Sequence, residues 1–70
     1  MWIRSQDKKK LKEINDVSIY HDNQIWAGCS FIGEYSTEEK ALRVLDMIEK
    51  VSMYQGNTLF QMLQDEDVRV

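Results

Sequence analysis

Few side chains in this sequence are of types that do chemistry, and their spacing narrows the choice further. His21 stands beside Asp22 in a polar cluster, His21-Asp22-Asn23-Gln24. A His–Asp neighbour pair becomes a catalytic device only with a positioned nucleophile, and none is in register with it. The single cysteine, Cys29, alternates with Ile25 and Phe31, so it is expected on a buried face where a thiol is inert. Gly28 and Gly33 lack the spacing of a phosphate loop, and no Lys-Ser/Thr pair follows them into a helix. Asp65-Glu66-Asp67 lacks the spacing of a calcium loop. No catalytic residue, metal ligand or cofactor is therefore expected, and the chain reads as a non-enzyme. Binding is the chemistry that remains. Trp2 with Arg4, joined by Trp26 and Tyr35 and aided by Tyr20, has the groups to stack a base and hold a phosphate.

Those residues need elements to position them, and the clearest element is the run from Ser36 to Val51. Ala41, Val44, Leu45, Ile48, Val51 and Ser52 fall within one arc at helical periodicity, opposite Glu39, Arg43, Asp46, Glu49 and Lys50. Ser36 with Glu39 makes a capping box, Thr37 being the alternative cap, and Glu38 and Glu39 suit the positive end of the helix dipole. The pairs Glu39–Arg43 and Asp46–Lys50 each add roughly 0.2–0.5 kcal/mol. The helix is expected to stop near Tyr54, where Gly56-Asn57 tolerate a left-handed turn.

Before the helix the pattern is that of strands. Met1 to Arg4 reads as a first strand, and Ser5-Gln6-Asp7 as a turn into the lysines. Leu11 to Tyr20 reads as a strand broken by a bulge, or as two short pieces, at Asn15-Asp16. Gln24 to Tyr35 reads as one long strand with Ile25, Ala27, Cys29, Phe31 and Tyr35 on one face and Trp26, Ser30, Ile32 and Glu34 on the other. After the helix, Asn57 to Leu63 reads as a last strand. The expectation is an α+β fold in β-β-β-α-β order: a small antiparallel sheet of three to four strands with one helix on one face. Residues 1–64 would be a single compact domain and 65–70 a flexible acidic tail.

The totals set bounds on this picture. The chain has 70 residues, a net charge of −3, one cysteine and no proline. Neither disulfides nor zinc can reinforce so small a core, so self-association into a homo-oligomer is expected. No stretch approaches the roughly 20 apolar residues of a membrane span, and a cytoplasmic location with no membrane partner is expected. Charge is unevenly spread, with Arg4, Lys8, Lys9, Lys10 and Lys12 near one end and Asp65-Glu66-Asp67 near the other. The basic run is no strong nucleic-acid signal by itself; it reads as a solvated loop, with a phosphate-contacting patch as the sharper alternative. One helix covers one sheet face, which leaves the other, with Trp26 and Trp2, or the helix shoulders Leu42, Met47, Met53 and Tyr54, as the surface for a partner.

Three segments carry a resemblance: Trp2-Ile3-Arg4-Ser5-Gln6-Asp7-Lys8, Gly33-Glu34-Tyr35-Ser36-Thr37-Glu38-Glu39-Lys40-Ala41-Leu42, and Val44-Leu45-Asp46-Met47-Ile48. Together they resemble small uncharacterised proteins of Gram-positive bacteria, their prophages and phages, over most of the chain. In that group the last strand tends to read Phe/Tyr-x-Met-Pro; here Phe60-Gln61-Met62 is followed by Leu63. The resemblance implies a phage setting, in which small non-enzymatic proteins often blunt host defence. Two functions follow as expectations. One is a counter-defence oligomer that sequesters a nucleotide-derived immune signal, with Trp2, Arg4, Trp26 and Tyr35 as its ligand-binding residues. The other is an inhibitor or adaptor that binds a host protein through an exposed apolar sheet face.

Overall fold

The computed structural model describes residues 1–14, 16–53 and 59–70. The strands are β1 (Trp2–Arg4), β2 (Leu11–Glu13), β3 (Ser18–Tyr20), β4 (Gln24–Ala27), β5 (Ser30–Glu34) and β6 (Leu59–Gln61), with the helix α1 (Glu38–Ser52) between β5 and β6. They form two three-stranded sheets, ordered β2-β1-β6 and β3-β4-β5. The fold is α+β with one helix, and the crossover returns the last strand to the first: β1 and β6 pair in parallel, with Ile3 opposite Phe60. The other pairings are antiparallel. As the break at Asn15-Asp16 suggests, Leu11 to Tyr20 yields two short strands; Asn15 itself, like Gly56-Asn57, lies outside the described residues.

The run from Gln24 to Tyr35 is not one strand. Gly28 takes φ +58°, and with Cys29 it forms a two-residue hairpin between Ala27 and Ser30. Glycine at the first central position is what a II′ turn needs, because a side chain there would meet its own carbonyl. Alternation therefore restarts at Ser30. It then slips, since Ile25 pairs with Gly33 but Trp26 with Phe31, which leaves Ile32 as the extra residue of a bulge. The turn puts Phe31 on the face of Trp26, and the bulge lets both Ile32 and Gly33 turn inward. Cys29, expected in the core, is exposed in the turn.

One core joins the two sheets and the helix. Ile3 and Phe60 come from the first sheet, Ile25, Ala27 and Ile32 from the second, and Ala41, Val44 and Ile48 from the helix. Leu45 and Val51, in the same helical arc, are only partly covered. Thr37, not Ser36, caps the helix: its hydroxyl accepts from the Lys40 amide at 3.2 Å. The backbone of Ser36 is engaged elsewhere, donating to the Asp65 carboxylate at 2.7 Å.

That contact overturns the expectation of a flexible tail. Asp65–Asp67 is a turn of 3₁₀ helix, the Lys40 ammonium reaches the Asp65 carbonyl (3.0 Å) and carboxylate (3.4 Å), and Val68 is buried in the core. The physical reason is a carboxylate placed where the entry to α1 offers a free N–H and a cation, followed three residues on by an apolar side chain. Hydrogen bonding from the Ser36 amide, assisted by Lys40, holds the Asp65 carboxyl below the usual carboxylate range. A carboxyl whose pKa is depressed on folding stabilises the fold above its unfolded pKa, and the contribution is lost as pH falls through the folded one. Asp65→Asn should therefore flatten the acid limb of the stability curve, measured by thermal melts from pH 5 to pH 2; an unchanged limb would mean that the contact carries no stability.

Candidate functional site

In β1 alternation turns Ile3 inward, fully buried, and leaves Trp2 and Arg4 on the outer face. The neighbouring strands complete that face. Trp2 lies between Glu13 and Leu59, and Arg4 between Leu11 and Gln61. The result is a two-by-three array whose middle column is an indole and a guanidinium. Trp2 is 39 % exposed, Leu11 53 % and Leu59 61 %, an unusual concentration of uncovered apolar groups on so small a sheet. Among the described residues Arg4 forms no ion pair.

Trp26 belongs to the other sheet. On the outer face of β3-β4-β5 it meets Tyr20 and Phe31, edge to face, at centroid distances of 5.9 and 5.7 Å. Its indole N–H donates to Gln24 Oε1 (3.2 Å), and the Gln24 amide donates in turn to Glu34 (3.1 Å). A shallow cleft of about 360 Å³ runs beside it, lined by Tyr20, His21, Gly28 and Cys29. His21 and Asp22 both have positive φ, 54° and 68°, in the tight turn from β3 to β4. Among the described residues no three His, Cys, Asp or Glu side chains are placed to hold a metal ion.

Tyr35 is in the core. It is 1 % exposed, and its hydroxyl donates to the Leu63 carbonyl at 2.8 Å. Burial, with the Asp65 charge nearby, pushes the phenol well above its ordinary pKa. Its backbone amide donates to the Asn23 carbonyl (2.9 Å), and the Asn23 side chain donates to the Tyr35 carbonyl (3.0 Å). Hence the four residues read from the sequence as one ligand site lie in three places: Trp2 and Arg4 together on one outer face, Trp26 on another, Tyr35 inside.

No protein-family model, curated protein or solved structure matches the chain.

The residue that sequence reasoning passed over is Gln6. Its backbone N–H donates to Ile32 O (2.8 Å), its side-chain oxygen accepts from the Glu34 amide (2.9 Å) and its side-chain nitrogen donates to Leu63 O (3.2 Å). Gln64 donates back to the Gln6 carbonyl at 2.8 Å. One amide side chain thus ties the edge of β5 to the segment after β6. The loop that presents it is organised by Asp7, which accepts from the Ser5 hydroxyl and from the Lys9 amide, while Lys8 takes φ +67°. Those hydrogen bonds, Ser5's first, lower the Asp7 pKa. The Ser5-Gln6-Asp7-Lys8 segment therefore has a structural role, and Trp2 and Arg4 stay on the outer face of β2-β1-β6. Leu11 and Leu59 belong to that face; alternation about Phe60 was the signal for Leu59, and Leu11, in a strand exposed along its length, had none.

Proposed function

We propose that this chain is a non-enzymatic binding module that engages another protein through the outer face of β2-β1-β6. Trp2, Leu11 and Leu59 are exposed side by side around Arg4, and this observation carries the reading. Aromatic and arginine side chains are the usual anchors of protein interfaces. The partner this face fits has an apolar surface with a carboxylate to meet the guanidinium of Arg4. In the phage setting implied by the resemblance, that partner is a host protein whose activity the module blocks by occupying it. The nucleotide-sequestering alternative draws support from Trp26 and the cleft beside it, but its four-residue pocket would need Tyr35, whose hydroxyl is already committed to Leu63.

The test uses Leu59→Asp, a change at an exposed position that leaves the core intact. Immobilised wild-type protein should retain one host protein in stoichiometric amount, acidic at its contact surface by cross-linking, and Leu59→Asp should release it while Trp26→Leu does not. Retention that is indifferent to Leu59, or a nucleotide carried through purification with no protein, defeats the reading. Sedimentation separates the remaining occupant: self-association abolished by Leu59→Asp assigns the face to a second copy.

A further inference from the structure

The fold brings the basic run and the aromatic residues, about twenty positions apart in sequence, to the same sheet edge. Lys10 extends its ammonium to the Phe31 carbonyl (3.4 Å), and Lys12 extends its own to the Ser30 hydroxyl (2.8 Å). Phe31 is the last of three rings in contact across the outer face of β3-β4-β5, after Tyr20 and Trp26. Read across the strands, the surface runs Tyr20, Trp26, Phe31, then the Lys10 ammonium at the β5 edge, while Lys12 reaches Ser30 on the face of Ala27. Lys8 and Lys9 project from the same loop and are exposed.

We propose that this surface binds single-stranded nucleic acid. The half-exposed Tyr20, beside the partly exposed Trp26 and Phe31 that it joins edge to face, offers aromatic surface to bases, and lysine at the adjoining edge follows the phosphates; this combination holds single strands without reading sequence. A duplex does not fit, because its bases are not available to stack. The overall charge of −3 makes the local lysines decisive. Glu34, on the same face but tied to Gln24 at the far end of β5, marks where the strand must leave. The surface is separate from the outer face of β2-β1-β6 and does not depend on it.

Fluorescein-labelled dT12 is the probe, with anisotropy read at 50 and 200 mM salt. Saturable binding is expected, weaker at the higher salt. Lys10→Gln should lower the affinity and reduce the slope of log K against log salt by roughly 0.7, the loss of one phosphate contact on a single strand. Tyr20→Ala, at a half-exposed position, should weaken binding about fivefold or more through lost stacking. In a Trp2→Phe background, dT12 should quench the fluorescence of Trp26, a signal that lysine contacts alone would not produce. No anisotropy change at 50 mM salt overturns the proposal. So does binding that neither Tyr20→Ala nor Trp26 fluorescence registers. Competition by free dTMP as effective as that by dT12 at equal nucleotide concentration also overturns it, since the site would then take a mononucleotide.

Discussion

Ile25→Ala should cost about 2–5 kcal/mol and leave much of the protein unfolded at 37 °C. Ile25 is fully buried in the middle strand of β3-β4-β5, within a cluster that also holds Ile3, Ile32 and Val44. Cutting the side chain back to a methyl loses its transfer free energy and leaves a cavity that strands held on both sides cannot collapse to fill. A chain of 70 residues starts from a margin toward the lower end of the ordinary 5–15 kcal/mol, so the loss takes most of it. Leu45→Ala, in the helix but only partly covered, should cost less. Urea melts of the two variants make the comparison, and equal midpoints would show that the inner face of β4 has been misassigned.

Gln6→Ala is the second large effect, about 1–3 kcal/mol. It removes the acceptor of the Glu34 amide and one donor to the Leu63 carbonyl, and it loosens a side chain that reaches from the β1–β2 loop to both. The Leu63 carbonyl keeps its bond from the Tyr35 hydroxyl, which bounds the loss. Gln6→Glu distinguishes hydrogen bonding from mere bulk. It restores the acceptor for Glu34 but sets a carboxylate oxygen against the Leu63 carbonyl, so it should remain less stable than the wild type at neutral pH. Full recovery of the melting temperature in Gln6→Glu would mean that the side chain only fills space.

How much of this was legible beforehand depends on the range of the interactions involved. The helix was legible because its cause is local: Ala41, Val44 and Ile48 recur at helical spacing, and a hydroxyl precedes an acidic first turn. The mistaken choice of Ser36 over Thr37 as its cap has a distant cause, since Asp65 claims the Ser36 amide across 29 positions. The long strand was misread at Gly28, where apolar residues on both sides concealed a hairpin. The turn itself took Cys29 out of the core and put Phe31 on the side of Trp26, and the bulge at Ile32 then altered the facing of the residues after it. At the candidate site, Trp2 and Arg4 were placed together by simple alternation. Their association with Trp26 and Tyr35 assumed one sheet where there are two.

The pairing of β1 with β6 has a consequence for the order in which the chain assembles. Trp2 is opposite Leu59 and Arg4 opposite Gln61, so one sheet is finished only after β6 has followed the other five strands and the helix off the ribosome. The hairpins of β3-β4-β5 close over loops of two or three residues and can form during synthesis. Until the partner strand arrives, the nascent β1 segment exposes Ile3 as well as Trp2. The early meander is the template, and the late strand is the latch that seals it.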